Sequence, residues 1–272
     1  MEPTRILYIY QEIFPYTQET FAAKLCRELP QFVQESGNYE VRVFVPCYGV
    51  INERRNQLHE VQRLSGLNLV VDDNDYQLII KVASIQSARM QVYFIDNDDY
   101  FQRRNTITDD SGNSFPDNDE RSIFFSRGVF ETVKKLRWKP DLIYCQGWLT
   151  SLIPLYLKKE YADDPAFTNT KVVFSAHPDK FAGSLSENFA QKIRTENIEP
   201  KDVKLVKEPT HTNVNKLACS FADGIILYSD RLDDEVCEFA DKTQKPVLVH
   251  SNEEKDYIDT YNTFFDNIIE KQ

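Results

Sequence analysis

Imidazole is the side chain best suited to proton work near neutral pH, and His177 is the histidine best placed for it. It follows the apolar run Lys171–Ala176, so a strand would deliver it to a loop. It suits either proton transfer or a polar contact at a reaction centre, or a pocket residue with no chemistry. Trp148 suits an aromatic platform for a ligand ring, or packing between a strand and a helix. Asp96 and Asn97, with Tyr100, Phe101 and Arg103 close behind, combine groups that recognise polyols. The same residues suit a turn held by Asp and Asn side chains after a strand. Asp117-Asn118-Asp119-Glu120-Arg121 could pass for a metal site, but reads as a helix N-terminus whose acids and amides satisfy free N–H groups. The 5 cysteines (Cys26, Cys47, Cys145, Cys219 and Cys237) are scattered, with no CxxC, and read as reduced core thiols. Cys145 lies nearest the predicted pocket, with no partner base apparent. The 4 histidines are far apart and show no zinc spacing. We therefore expect no metal and no cofactor.

Composition narrows the function classes. The 272 residues carry a formal net charge of −11 and are 41% hydrophobic and 12% aromatic. That content supports a substantial core. The negative balance argues against a general nucleic-acid binder and against docking on an anionic membrane. The N-terminal apolar run Ile6–Tyr10 is too short for a signal h-region or a membrane span, so a cytoplasmic chain is expected.

The elements that must position these residues alternate. Strands are expected at Arg5–Tyr10, Tyr39–Val45, Asp141–Cys145, Lys171–Ala176, Gly224–Tyr228 and Pro246–His250. Asn68–Asp72, Tyr76–Ala83 and Met90–Ile95 read as antiparallel or edge strands. Helices are expected at Glu19–Glu35, Glu120–Leu136, Thr150–Tyr161, Val214–Phe221, Arg231–Ala240 and Asn252–Ile269. Asn105–Asn118 is polar and reads as a mobile loop. Repeated strand–helix–strand units predict an α/β fold: a doubly wound, Rossmann-like parallel sheet spanning 1–272 as a single domain. In such a sheet ligands bind beyond the carboxyl ends of the strands, at the switch point. That directs attention to 11–19, 146–149 and 177–185.

Four segments together carry a resemblance: Val41–Gly49; Val92–Asn97 with Tyr100, Phe101 and Arg103; Asp117–Arg121 with Phe124–Arg127; and Trp138–Trp148 running on through Leu152–Leu157. Their order and spacing resemble the N-terminal domain of bacterial glycogen synthases and plant starch synthases, glycosyltransferase family 5. The resemblance covers about the first 240 residues. It implies half of a two-domain GT-B fold, with a nucleotide-glucose donor and an α-1,4-glucan acceptor. The family's Lys-Thr-Gly-Gly loop, which approaches the donor phosphates, corresponds here to Gln18-Glu19-Thr20-Phe21. Glycine allows backbone to approach a pyrophosphate, and a carboxylate and a phenyl ring do not. The family's His-x-His-Asp-Trp segment reads here as Tyr144-Cys145-Gln146-Gly147-Trp148, with only the tryptophan kept. Its Thr-x-His-Asn histidine corresponds to His177 in Ser175-Ala176-His177-Pro178.

These departures imply a synthase-like domain that is inactive alone, the chain ending near where the family's donor domain would begin. The ligand expected is an α-glucan or a nucleotide-sugar. A separately encoded donor domain, completing a split transferase, and a protein-interaction module with no sugar ligand are the alternatives. The helix Asn252–Ile269 is expected to pack back over the exposed wall, with a homodimer through that region as the other solution.

Overall fold

The computed structural model describes residues 3–103, 105–228, 232–250 and 257–270. Its strands are β1 (Thr4–Tyr10), β2 (Tyr39–Pro46), β3 (His59–Glu60), β4 (Leu67–Val71), β5 (Asn74–Ile85), β6 (Met90–Asp96), β7 (Leu142–Gln146), β8 (Lys171–Ala176), β9 (Gly224–Tyr228) and β10 (Val247–His250). The helices are α1 (Phe21–Glu35), α2 (Asp98–Phe101), α3 (Asn118–Leu136), α4 (Ile153–Lys159), α5 (Phe189–Lys192), α6 (His211–Phe221), α7 (Asp234–Lys242) and α8 (Tyr257–Glu270).

The strands form one sheet in the order β10-β9-β8-β7-β1-β2-β6-β5-β3, with β4 paired to β5. From β10 to β6 all neighbours are parallel, whereas β5 runs antiparallel to β6. The central strands are near-continuous apolar runs because helices cover both of their faces. All five residues of β7 and all five of β9 are buried. Chain order reverses between β1 and β7. From β1 the chain winds outward through β2 and β6, and from β7 through β8, β9 and β10. This places the switch point beyond Tyr10 and Gln146, the last paired residues of β1 and β7.

The expected α/β fold is present, with several boundaries moved. Helix α1 starts at Phe21 because Thr20 caps it, accepting the Ala23 N–H at 2.9 Å. The helix expected at Thr150–Tyr161 divides into a 3₁₀ turn, Trp148–Thr150, and α4. The sequence reading missed the short elements β3, α2 and α5. Residues 105–117 remain a loop, closed by a Thr108–Ser114 bridge. The expected helix starts at Arg231 and at Asn252 lie outside the described residues.

Helix α8 packs back onto the sheet. Tyr261, Phe265 and Ile268 are its buried face. The Tyr261 and Phe265 rings lie 6.1 and 5.5 Å from Tyr144 of β7. Gly224 makes room for the helix, since a Cβ there would meet Ile268 Cδ1 at 2.8 Å. The Tyr39 hydroxyl ties the outer end by donating to Asp266 at 2.8 Å. Among the described residues, no helix is long and apolar enough to cross a membrane.

Candidate functional site at the switch point

Backbone direction decides which predicted residues meet. Gln146 ends β7, His177 follows β8, and Gln11 and Glu12 follow β1, so adjacent parallel strands deliver them to one edge. Gln11, Glu12, Ala22, Gln146, Gly147, His177 and Asp179 line a crevice there of about 20 Å³. With Gln11 and Asp179 in place, that is room for about one water molecule. Beside it lies a larger cleft of about 480 Å³, lined by residues that include Glu12, Thr17, Gln18, Thr20, Asn105, Thr106 and Asp110. Glu12 belongs to both spaces. No lysine or arginine lines either one among the described residues.

The protein's own side chains fill the polar positions of the crevice. The Trp148 N–H donates to Asp179 Oδ2 at 3.0 Å, and the Leu149 N–H to Gln11 Oε1 at 3.2 Å. Asp179 Oδ1 lies 3.1 Å from His211 Nε2. Gly147 adopts φ 87°, ψ 157°. A Cβ there would stand 2.8 Å from Asp179 Oδ2 and 3.2 Å from Gln11. Thus, where the resemblance places an aspartate, a glycine yields its space to Asp179, a residue the sequence reading did not single out. Gln146 also turns inward: its amide donates to Cys26 Sγ at 2.9 Å and accepts from the Tyr144 hydroxyl at 2.9 Å.

Glu12 accepts from the Thr20 hydroxyl at 3.0 Å. Burial pushes its carboxyl above the usual range, the Thr20 bond pulls it down, and Asp179 pushes it up again. The Tyr48 hydroxyl, fully buried and without a hydrogen-bond partner, feels the Arg121 guanidinium and, against it, both carboxylates.

His177 is 2% exposed, with Nε2 3.1 Å from Ser175 Oγ. Its ring stacks on Tyr228 at 4.1 Å, and Tyr228 stacks on His250 at 4.7 Å. Burial lowers its pKa from 6.5 to about 4, with Asp179 opposing and His250 assisting. The imidazole is therefore neutral at physiological pH. The unfolded chain takes up a proton near 6.5 that the folded state refuses until about 4. Stability from this site is thus intact above 6.5 and is lost as pH falls toward 4. We expect His177→Gln to flatten the acid limb of the urea-unfolding stability curve, with a difference from wild type of about 2 kcal/mol near pH 5.

The other predicted positions lie apart from this crevice or face away from it. Glu19 is exposed and pairs with Lys24 at 2.7 Å. Phe21 is 52% exposed, its ring 5.8 Å from Tyr228. Trp148 is fully buried against Phe181 at 4.8 Å, so its ring presents no open platform. Asn97 caps α2, accepting from the Asp99 and Tyr100 N–H groups. Asp96 is buried and pairs with Lys81 at 2.7 Å, while Gln102 donates to both of its oxygens. Glu53 joins Lys81 at 2.6 Å, and Cys47, Glu53 and Asp96 offer ligand atoms within 4.8 Å of one another. The ammonium of Lys81 already supplies the cation there. The 117–121 segment does form the N-terminus of α3, but Asp117 at the N-cap makes no capping bond and instead forks onto Arg103.

A mainly parallel, doubly wound sheet with a crevice at its switch point and a C-terminal helix folded back defines a Rossmann-type α/β domain. The chain belongs to the starch synthase catalytic domain family, which matches residues 5–248. It is similar to the glycogen synthase of Chlorobium phaeobacteroides, 38% identical over 71% of this chain and 40% of that protein. It is also similar to the glycogen synthase of Chlorobaculum tepidum, 34% identical over 89% of this chain and 50% of that protein. The chain spans about 40 to 50% of the length of these relatives. In fold it matches the catalytic domain of starch synthase IV from Arabidopsis thaliana, solved with ADP and acarbose. That match has a TM-score of 0.70 at 16% identity, covering 91% of this chain and 51% of the other.

Proposed function

We propose that residues 1–272 act as one synthase-like domain that binds an α-glucan and transfers no glucose unaided. The 480 Å³ cleft supports this reading. Its threonine hydroxyls, its amides from Gln18 and Asn105, and its carboxylates from Glu12 and Asp110 suit the hydroxyls of an uncharged sugar chain. Acarbose in the Arabidopsis structure is a saccharide of that kind. The ADP of that structure has no such counterpart here. The Gln18–Phe21 loop brings neither lysine nor glycine, and the crevice next to it is small and acidic. A second reading rests on His177. Its neutral imidazole beside the crevice would serve a half-site completed by a separate donor domain.

Calorimetric titration with maltoheptaose tests the first reading. Binding is expected, with Glu12→Ala weakening it about ten-fold through loss of one charged hydrogen-bonding group. Glucosyl transfer from ADP-glucose or UDP-glucose by the purified chain alone would overturn it. Transfer that appears only after a donor domain is added would support the second.

A further inference from the structure

We propose that Asp179 is a specificity-determining residue, an internal anion that occupies the switch-point amides and, with Glu12, keeps nucleoside diphosphates out of the site. The inference rests on the glucan-binding reading and names what that site rejects.

Three features carry it. First, the carboxylate already holds a position of the kind a phosphate oxygen takes, on the Trp148 N–H at 3.0 Å. The adjacent Leu149 N–H is taken by Gln11 at 3.2 Å. An incoming anion would have to displace both groups. Second, Asp179 is not a wandering surface acid. Its other oxygen faces His211, and the segment around it is stapled down. Lys180 pairs with Asp233 at 2.5 Å, and Phe181 packs against Trp148 at 4.8 Å and His211 at 5.5 Å. Ser184 bridges Thr210, and the Leu185 N–H donates to the Pro209 carbonyl at 3.0 Å. An anion held on the same chain competes at high effective concentration. Third, the remaining wall is hostile to negative charge. Glu12 lines the crevice, and no cationic side chain lines it among the described residues. Placing like charge against a would-be ligand is how a site excludes the wrong one.

Gly147 is the enabling residue. Any Cβ there would collide with Asp179 Oδ2 at 2.8 Å, so the glycine and the internal anion form one device.

The test is calorimetric titration of the full chain with ADP. It compares wild type with Asp179→Asn, Asp179→Ala, Glu12→Gln and the Asp179→Asn/Glu12→Gln pair. Asp179→Asn keeps the size and removes the charge, and Asp179→Ala also empties the amide. We expect no ADP heat from wild type at millimolar nucleotide, and binding at least ten-fold tighter in the Asp179 variants and the pair. Circular dichroism and thermal melting report whether each variant is folded. Should Asp179→Ala fail to fold, Asp179→Asn, which keeps the size of the side chain, decides by the same gain. Wild type binding ADP as tightly as the variants overturns the inference, as do folded variants that bind no tighter than wild type. Maltoheptaose is titrated into the same wild-type sample. Its failure to bind sinks the glucan reading, while the ADP comparison still decides the role of Asp179.

Discussion

Gly147→Asp, which introduces the residue that the sequence resemblance places there, is expected to destabilise the fold by about 3–5 kcal/mol. Two costs add. At φ 87°, ψ 157° the backbone sits in a region essentially reserved for glycine. Holding another residue there costs about 1–3 kcal/mol. The new Cβ would also lie 2.8 Å from Asp179 Oδ2, with its carboxylate directed into the same small space. The Asp179→Ala background removes the closest contact and leaves Gln11 at 3.2 Å and the backbone strain. The double variant should therefore recover about 1–3 kcal/mol relative to additivity. Guanidinium unfolding of the four proteins measures this coupling. Equal effects of Gly147→Asp in both backgrounds would show that the two residues do not share the space.

Lys81→Met is expected to cost about 3 kcal/mol near neutral pH, because it strands a buried carboxylate. The Asp96 side chain is 1% exposed, and Lys81 is its only ion-pair partner among the described residues. Burial pushes the Asp96 carboxyl up, while Lys81 and Gln102 pull it down. Burial opposes the Lys81 charge, yet its bonds to Asp96 and Glu53 hold the ammonium above its ordinary range. Methionine keeps the aliphatic stem, so the substitution isolates the charge. Without Lys81, Asp96 protonates more readily and the strain is relieved in acid. The penalty should shrink as pH falls from about 7 to about 5, as read by urea midpoints. A penalty independent of pH would assign the loss to packing.

Much of the fold was legible because apolar runs report burial directly. Arg5–Tyr10, Lys171–Ala176 and Gly224–Tyr228 were expected as strands, and β1, β8 and β9 lie there. The switch point followed from their order. Within the site, Gln146, Gly147 and His177 come together as strand succession implies. Side-chain direction was not legible. Gln146 turns to Cys26, and Trp148 turns to Phe181. Asp179 had no local signal, since it is one acid in the loop after β8. Gly147 itself was the available hint, since a missing Cβ leaves room for a neighbouring side chain. Lys81 and Glu53 stayed hidden for a related reason. Residues 28 apart in sequence meet only through the pairing of β5 with β6 and the loop after β2.

The packing of Trp148 has a spectroscopic consequence. The chain holds only two tryptophans. Trp138 is anchored far along the sheet, its indole N–H donating to Glu40 at 2.7 Å and the Arg42 guanidinium 4.9 Å above its ring. Trp148 instead rests on Phe181, in the same stapled loop as Asp179. Any ligand or substitution that lifts that loop must wet one indole and leave the other dry. A red shift confined to Trp148, isolated in a Trp138→Phe background, makes the protein its own optical gauge of whether the switch point is shut.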